Sequence, residues 1–242
     1  LEAKLGFRSY FNFVPERYHN SNSVLKELRK RGFEIGVHGL RHDGKLFKSR
    51  KIFDQRAVKI NAYLKKWNTR GFTSPAMHHN PDWLHALNIA YSTSTFDTDP
   101  FEPQPDAAGT VFPFLIYKNS SGCAASQPSC PVKFFRRKTN EVDLTGASLP
   151  VSKPPSLPAS QPPICYIELP YTLPQDHLLF VILQEKNIDI WKQKLDWIAE
   201  HGGMALLNTH ADYMRFEGEK SGAESYPVGY YIEFLEYIKS KF

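Results

Sequence analysis

The sequence contains no long apolar run and no recognisable leader. None of its apolar stretches approaches the roughly 18 consecutive residues that a membrane-spanning helix needs, so we expect no membrane span. The first residues, LEAKLGFRSYFNF, lack the order of basic, apolar and small residues that marks a secretion signal. Because the chain begins at Leu1 without a methionine, we expect it to start partway into a fold. Its compartment stays open between the cytoplasm and the cell envelope of a bacterium.

Cysteine is scarce, with three in 242 residues. Their spacing does not resemble the paired C-x-x-C ligands of a structural zinc site, which excludes a cysteine-based zinc finger. Cys123 and Cys130 could pair in an oxidising compartment, which would leave Cys165 over. The redox environment therefore stays open.

The formal net charge of +5 does not predict a nucleic-acid partner, because the excess lies in one segment. Residues 118–163 contain six Lys and Arg against two Asp and Glu, and the rest of the chain carries +1. The same segment holds eight of the 18 prolines and eight serines. Such a composition cannot bury enough surface to offset its ordering entropy. We predict a single domain over 1–242 with a flexible Pro/Ser-rich insertion at 118–163, in which FFRRK is a solvated basic patch.

Outside that segment, short apolar stretches of strand type alternate with amphipathic helices. This alternation is typical of βα units with a mainly parallel sheet, either open or closed into a barrel. The predicted strands are 7–14, 33–37, 71–77 with its turn, 91–97, 165–171 and a buried strand at 204–210. The predicted helices are 20–32, 48–67, 80–88, 188–203 and a last one with apolar positions at Tyr231, Phe234, Leu235, Ile238 and Phe242.

Polar residues follow several of the predicted strands where each strand ends. They are His38, the stretch from Thr73 to Pro75, Asp97 with Asp99, and His210. In sheets of this kind, ligands bind at the carboxyl ends of the strands. We therefore expect these side chains to gather on one rim.

His38 and His42 stand four residues apart directly after a strand. On a helical turn, this spacing places both imidazoles on one side, as zinc or a similar divalent metal requires. With nine histidines in the chain, an unrelated surface pair at this spacing is about equally expected. The position of the pair at a strand end, with His210 placed alike on another strand, favours a metal site.

At this point the sequence resembles the NodB-type polysaccharide deacetylases, which are carbohydrate esterases. EIGVHGLRHD resembles the family's metal motif, H-[ST]-x-x-H preceded by E-[IL]-[GA]. LLNTHADYM resembles its late L-x-x-H motif, and STFDTDPFEPQPD lies where an Asp-bearing motif belongs. The motifs occur in the family's order, and the resemblance covers most of the chain outside the insertion. It implies an α/β fold, a distorted (β/α) barrel that is incomplete at the N-terminus.

The resemblance also implies a metal-dependent hydrolase that removes N-acetyl groups from a polysaccharide or glycan precursor. His38 and His42 match the ligands of a divalent metal, with zinc favoured. His210 matches the general acid, with Asp97 or Asp99 as the residue that tunes it. Pro75, Tyr171 and Leu173 are assigned to substrate binding, since aromatic rings stack on sugar faces, although most aromatic residues are core. The expected partner is a carbohydrate, and the oligomeric state stays open.

The sequence departs from the family pattern in two places. The family's first motif, T-F-D-D, supplies the base and a third metal ligand, and it does not occur here. In the motif that usually runs R-x-P, the residue two before Pro75 is Thr73, and by strand parity Arg70 should point away from the site. Two alternatives therefore stand beside the hydrolase: a non-catalytic sugar-binding domain of the same fold, and an inactive fragment that lacks the catalytic aspartates.

Overall fold

The protein is described here by a computed structural model that covers residues 1–97, 107–119, 122–125, 164–220 and 222–242. A seven-stranded sheet in the order β1-β2-β3-β4-β7-β5-β6 is its central element. Strands β1 to β4 and β7 are parallel, and β5 runs antiparallel to both β7 and β6. The strands of this sheet are β1 (Tyr10–Phe13), β2 (Glu34–His38), β3 (Gly71–Thr73), β4 (Tyr91–Ser92), β5 (Phe114–Asn119), β6 (Gly122–Ala125) and β7 (Ile164–Glu168).

Helices follow the parallel strands, as the sequence pattern predicts. The α-helices are α1 (Glu2–Leu5), α2 (Asn22–Lys30), α3 (Arg50–Lys66), α4 (Pro81–Leu84), α5 (Asp189–His201) and α6 (Gly229–Lys241). A short π-helix, His177–Ile182, precedes α5, and a small parallel pair, β8 (Met214–Arg215) and β9 (Tyr226–Pro227), precedes α6. In the part of the chain that the structure describes, no helix is long and apolar enough to cross a membrane.

Helix α3 shows how the sequence pattern produces this packing. Ser49 caps it by accepting a hydrogen bond from the amide of Ile52. The predicted apolar face, Phe53, Ala57, Ile60 and Leu64, is buried in the main core. The helix therefore forms where the 3.6-residue period places one apolar stripe against the sheet.

The strands present an apolar face to this core and a polar face on the other side. Val37 and Phe72 are register partners and both are fully buried in the core. Asn12 and Gly36 are partners on the opposite face, as are His38 and Thr73. Because residues in register on adjacent strands point to the same face, β1, β2 and β3 bring their polar residues together at their carboxyl ends.

The sheet is open in the described residues, so the predicted incomplete barrel is not confirmed. Its order begins at β1 and ends at β6, and no strand joins these two edges. The predicted buried strand at 204–210 is wrong, since this segment forms no strand and is only partly buried. It is tied by a few separate bonds: the Met204 amide donates to the Val111 carbonyl, and the amides of Thr172 and Leu173 both donate to the Leu206 carbonyl. A continuous ladder does not form from so few contacts.

The first residues of the predicted insertion include paired strand residues. Residues 118–119 belong to β5, residues 122–125 form β6, and the two strands pair antiparallel. β5 begins with the apolar run FLIY, and its pairing with β6 continues into the polar residues 118–119. Residues 126–163 lie outside the described residues. Cys165, which the sequence analysis left over, is disulfide-bonded.

A buried carboxylate joins the ends of β4 and β7. Glu168 is 2% exposed, and its Oε1 accepts hydrogen bonds from the amides of Ser94 and Thr95 and from the Thr95 hydroxyl. Burial raises the pKa of Glu168 above its ordinary value. These bonds satisfy amides that follow the short strand β4 and would otherwise be buried without an acceptor.

We expect Glu168→Ala to lower the free energy of unfolding by about 3 kcal/mol, because it leaves two buried amides and a hydroxyl without an acceptor. Glu168→Gln keeps an acceptor oxygen and should cost about 1 kcal/mol or less. Urea denaturation of both variants measures the difference. Equal stability of the two variants would contradict this role of Glu168.

Candidate functional site

The loop after β2 brings His38 and His42 together. Their ring centroids lie 5.0 Å apart, and the ring planes are tilted by 54°. The segment is not the helical turn expected from the sequence spacing. Three residues, Gly39, His42 and Gly44, have left-handed backbone with φ of 60°, 51° and 67°, and these turn the chain back on itself. A non-glycine residue in this region costs about 1 kcal/mol or more, so the surroundings hold His42 in place against its own preference.

A main-chain carbonyl orients His38. The Nδ1 atom of His38 lies 3.1 Å from the Thr73 carbonyl oxygen. Because a carbonyl can only accept, Nδ1 carries the hydrogen, and the lone pair of Nε2 is available. Burial, and to a smaller extent the imidazoles of His42 and His210, lower the pKa of His38 to about 4. His38 is therefore neutral at pH 7, the form that ligates a metal.

The geometry of the histidine pair is compatible with a shared divalent cation. Two imidazoles bound to zinc at ~2.0–2.1 Å and near a tetrahedral angle would have centroids about 5 Å apart, and the observed separation is 5.0 Å. Within the described ranges, no group of three or more His, Cys, Asp or Glu side chains is arranged to hold a metal ion. Asp43, next to His42, is held by Arg56 through two bonds of 2.7 Å. The pair can therefore supply two ligands, and among the described residues no side chain is placed as a third ligand.

His210 is held by a fully buried carboxylate. Its Nδ1 lies 2.7 Å from Oδ1 of Asp176, and its amide donates to Oδ2 at 2.7 Å. Oδ2 also accepts from the Tyr226 hydroxyl at 2.9 Å, and Oδ1 accepts from the amide of His177. The His210 ring is 37% exposed. The arrangement fixes Nδ1 against Asp176, and Nε2 faces the side-chain amide nitrogen of Asn208 at 3.4 Å.

The structure therefore brings three of the predicted site residues together. His210 lies close enough to His38 to disfavour a charge on it, and His42 lies against His38. These histidines come from the carboxyl end of β2, the loop behind it, and the segment before β8. Of these three, only His38 lies at the end of a strand of the central sheet.

Of the two aspartates assigned to tune His210, Asp97 is bonded to another residue. Asp97 is buried, and its Oδ2 accepts a hydrogen bond from Lys194 Nζ at 2.9 Å. The carboxylate in contact with His210 is Asp176, which corrects the assignment to Asp97. Asp99 lies outside the described residues.

The residues assigned to substrate binding are mostly packed. Tyr171 is 4% exposed and packs with Met77 and Phe96, and Leu173 is 3% exposed in the core that surrounds α5. Neither side chain exposes a face that a sugar could contact, because both are buried in the core. Pro75 is buried against Gly39, and it also lines a small cleft beside His42. The cleft encloses about 270 Å³, including space open to solvent.

Asp176 was missed by the sequence analysis. It lies in the stretch ELPYTLPQD directly before the π-helix, where an aspartate commonly caps the first amide. That position was a usable signal for a helix start. It gives no indication of the contact with His210, which is 34 residues away in the chain.

No family model matches this chain, and no curated protein matches it. A solved structure, described as that of a putative polysaccharide deacetylase from Mycobacterium smegmatis, has a similar fold with a TM-score of 0.53 and 14% sequence identity. The similarity covers 98% of this chain and 68% of that one. At this level of identity the likeness shows the fold alone. It confirms that the α/β fold is of the kind found in a protein described as a polysaccharide deacetylase.

We expect Gly39→Ala to lower the free energy of unfolding by about 3 kcal/mol, from left-handed strain plus overpacking. A Cβ atom at residue 39 would lie 2.5 Å from Pro75 Cγ, whereas one at Gly44 would meet nothing within 4 Å. Gly44→Ala is the matched control, since its φ is similar, and it should cost only about 1 kcal/mol. Chemical denaturation gives both values. Equal losses would show that the contact with Pro75 does not constrain the histidine loop.

Proposed function

We propose that this chain is part of a metal-dependent hydrolase that removes N-acetyl groups from a carbohydrate. One observation carries the proposal: an imidazole held by a buried carboxylate, His210 with Asp176, lies near the neutral His38 and its neighbour His42. A likeness in fold to a protein described as a polysaccharide deacetylase supports the choice of reaction. The sequence motifs around these histidines support it independently.

His38, through Nε2, and His42 would hold the divalent metal, with zinc favoured. When bound, the metal would polarise the acetyl carbonyl and its attacking water. Asp176 keeps the Nδ1 hydrogen of His210 in place and stabilises the charged imidazole. His210 can then hold a proton at Nε2 and deliver it to the departing amine nitrogen. With two side-chain ligands, we expect the metal to bind weakly.

A non-catalytic sugar-binding role is the second candidate. It is favoured by Asn12 of β1, a partly exposed amide at the strand ends beside the histidines; the hydroxyls of Thr73 and Thr93 next to it are buried and bonded through Thr73. No group of three metal-binding side chains was found in the described parts of the chain. A side-chain amide of this kind can bind sugar hydroxyls without any reaction.

We expect the chain to bind zinc weakly, and His38→Ala or His42→Ala to raise the dissociation constant at least about tenfold, because each variant removes one of two imidazole ligands. Isothermal titration calorimetry measures this. His201→Ala is the control, since that ring is stacked on Trp197 on the surface. Zinc binding that persists unchanged in the His38→Ala, His42→Ala double variant would refute the metal site.

Release of acetate from N-acetylated oligosaccharides with zinc present, followed by proton NMR, tests the reaction. We expect slow release by the unaltered chain, reduced about 100-fold or more in Asp176→Asn, because the acid is then misoriented. Asp196→Asn is a matched control: Asp196 also accepts from a tyrosine hydroxyl, that of Tyr237, and pairs with a cation, Lys241, but it lies on the surface. Oligosaccharide binding without acetate release would refute the hydrolase for this chain and support the binding domain.

A further inference from the structure

Thr73 makes more hydrogen bonds at the site than strand pairing alone would need. It is 2% exposed and ends β3, directly in register with His38. Its carbonyl oxygen accepts from the Gly39 amide at 3.1 Å and faces Nδ1 of His38 at 3.1 Å. Its side chain is bonded as well, to a residue of β1 and to the residue that follows β4.

The side-chain bonds have a defined direction. The Thr73 hydroxyl donates to Asn12 Oδ1 at 3.0 Å. Its single hydrogen is then used, so the contact with Thr93 Oγ1, at 2.5 Å, must be donated by Thr93. The hydroxyl is thus fixed from both sides, by β1 and by the residue after β4.

We infer that Thr73 is a positioning residue for His38. This inference rests on the proposed metal site and adds to it the group that selects the tautomer of its first ligand. The side-chain bonds to Asn12 and Thr93 hold the end of β3, and its carbonyl then keeps the hydrogen of His38 on Nδ1. Nε2 is then the ligating atom. Its direction is fixed because the hydrogen bond at Nδ1 restricts rotation of the ring. Partners of this kind orient metal-binding histidines in proteins generally.

The glycines of the strands make room for this arrangement. Asn12 is in register with Gly36, which lies on β2 between Asn12 and the strand of Thr73. A Cβ atom at Gly36 would lie 1.7 Å from the Tyr10 hydroxyl oxygen, so the Tyr10 ring of β1 occupies the space over this glycine. A side chain at residue 36 would displace Tyr10 on the same face of the sheet as Asn12 and Thr73.

The test uses the full chain with Thr73→Val and Thr73→Ser. In the metal-free protein, ¹⁵N NMR of the imidazoles should show His38 with its hydrogen on Nδ1. We expect Thr73→Val to give a mixture of tautomers and to weaken zinc binding about tenfold, the lower end of the effect of such partners. Thr73→Ser keeps the hydroxyl and should restore both properties to within about twofold of the unaltered chain.

Thr69→Val is the matched control, because it removes another hydroxyl, near the start of the same strand, that is bonded to the Ile35 carbonyl. It should lower stability without changing the tautomer of His38 or its zinc affinity. The inference is overturned if Thr73→Val leaves the tautomer and the zinc affinity unchanged, or changes them no more than Thr69→Val does. If the unaltered chain binds no zinc, the proposed metal site fails, but the tautomer in the metal-free variants still decides the role of Thr73.

Discussion

The carbonyl oxygen of Thr73 is the point on which the geometry of the site depends. It accepts one bond from the amide that begins the histidine loop, that of Gly39, and it faces the ring of His38. The first contact ties the loop to the end of β3, and the second sets the ring. Since a backbone oxygen has two lone pairs, both are occupied, and neither the loop nor the ring can shift without losing a buried bond. His42 follows from the same constraint, because the left-handed turn begins at Gly39.

His38 and His210 have different electrostatic surroundings. His38 is partly buried beside other imidazoles, and this environment favours the neutral ring that a metal needs. His210 is bonded through Nδ1 to a carboxylate that is fully buried and accepts four hydrogen bonds. The same type of side chain is therefore surrounded by imidazoles at one position and by a carboxylate at the other. Asp176 is also bonded to residues of the π-helix, of the segment before β8, and of β9. The carboxylate that contacts His210 therefore also stabilises the local fold.

Local pattern was sufficient to predict much of the fold. The period of α3 predicted its buried face, and the strand pattern before His38 placed that residue at the carboxyl end of β2. The strand predicted before His210 does not form, so the strand-end rule did not predict the place of His210. The spacing of His38 and His42 could not distinguish a helical turn from a loop, because left-handed residues bring the rings together equally well. Asp176 could not be matched to His210, since the contact depends on how distant segments pack. The stretch 204–210 is apolar enough for a strand, but strand formation depends on partners that its own residues do not specify.

The position of β6 has a consequence for the rest of the chain. After this outermost strand the chain must return to β7, two places further inward, and 38 residues separate the two strands. The entropy cost of closing such a connection grows only with the logarithm of its length. Extra residues can therefore accumulate there at little thermodynamic cost. They leave from the edge of the sheet farthest from β1 and β2, so changes in this connection across evolution need not disturb the chemistry at the opposite side.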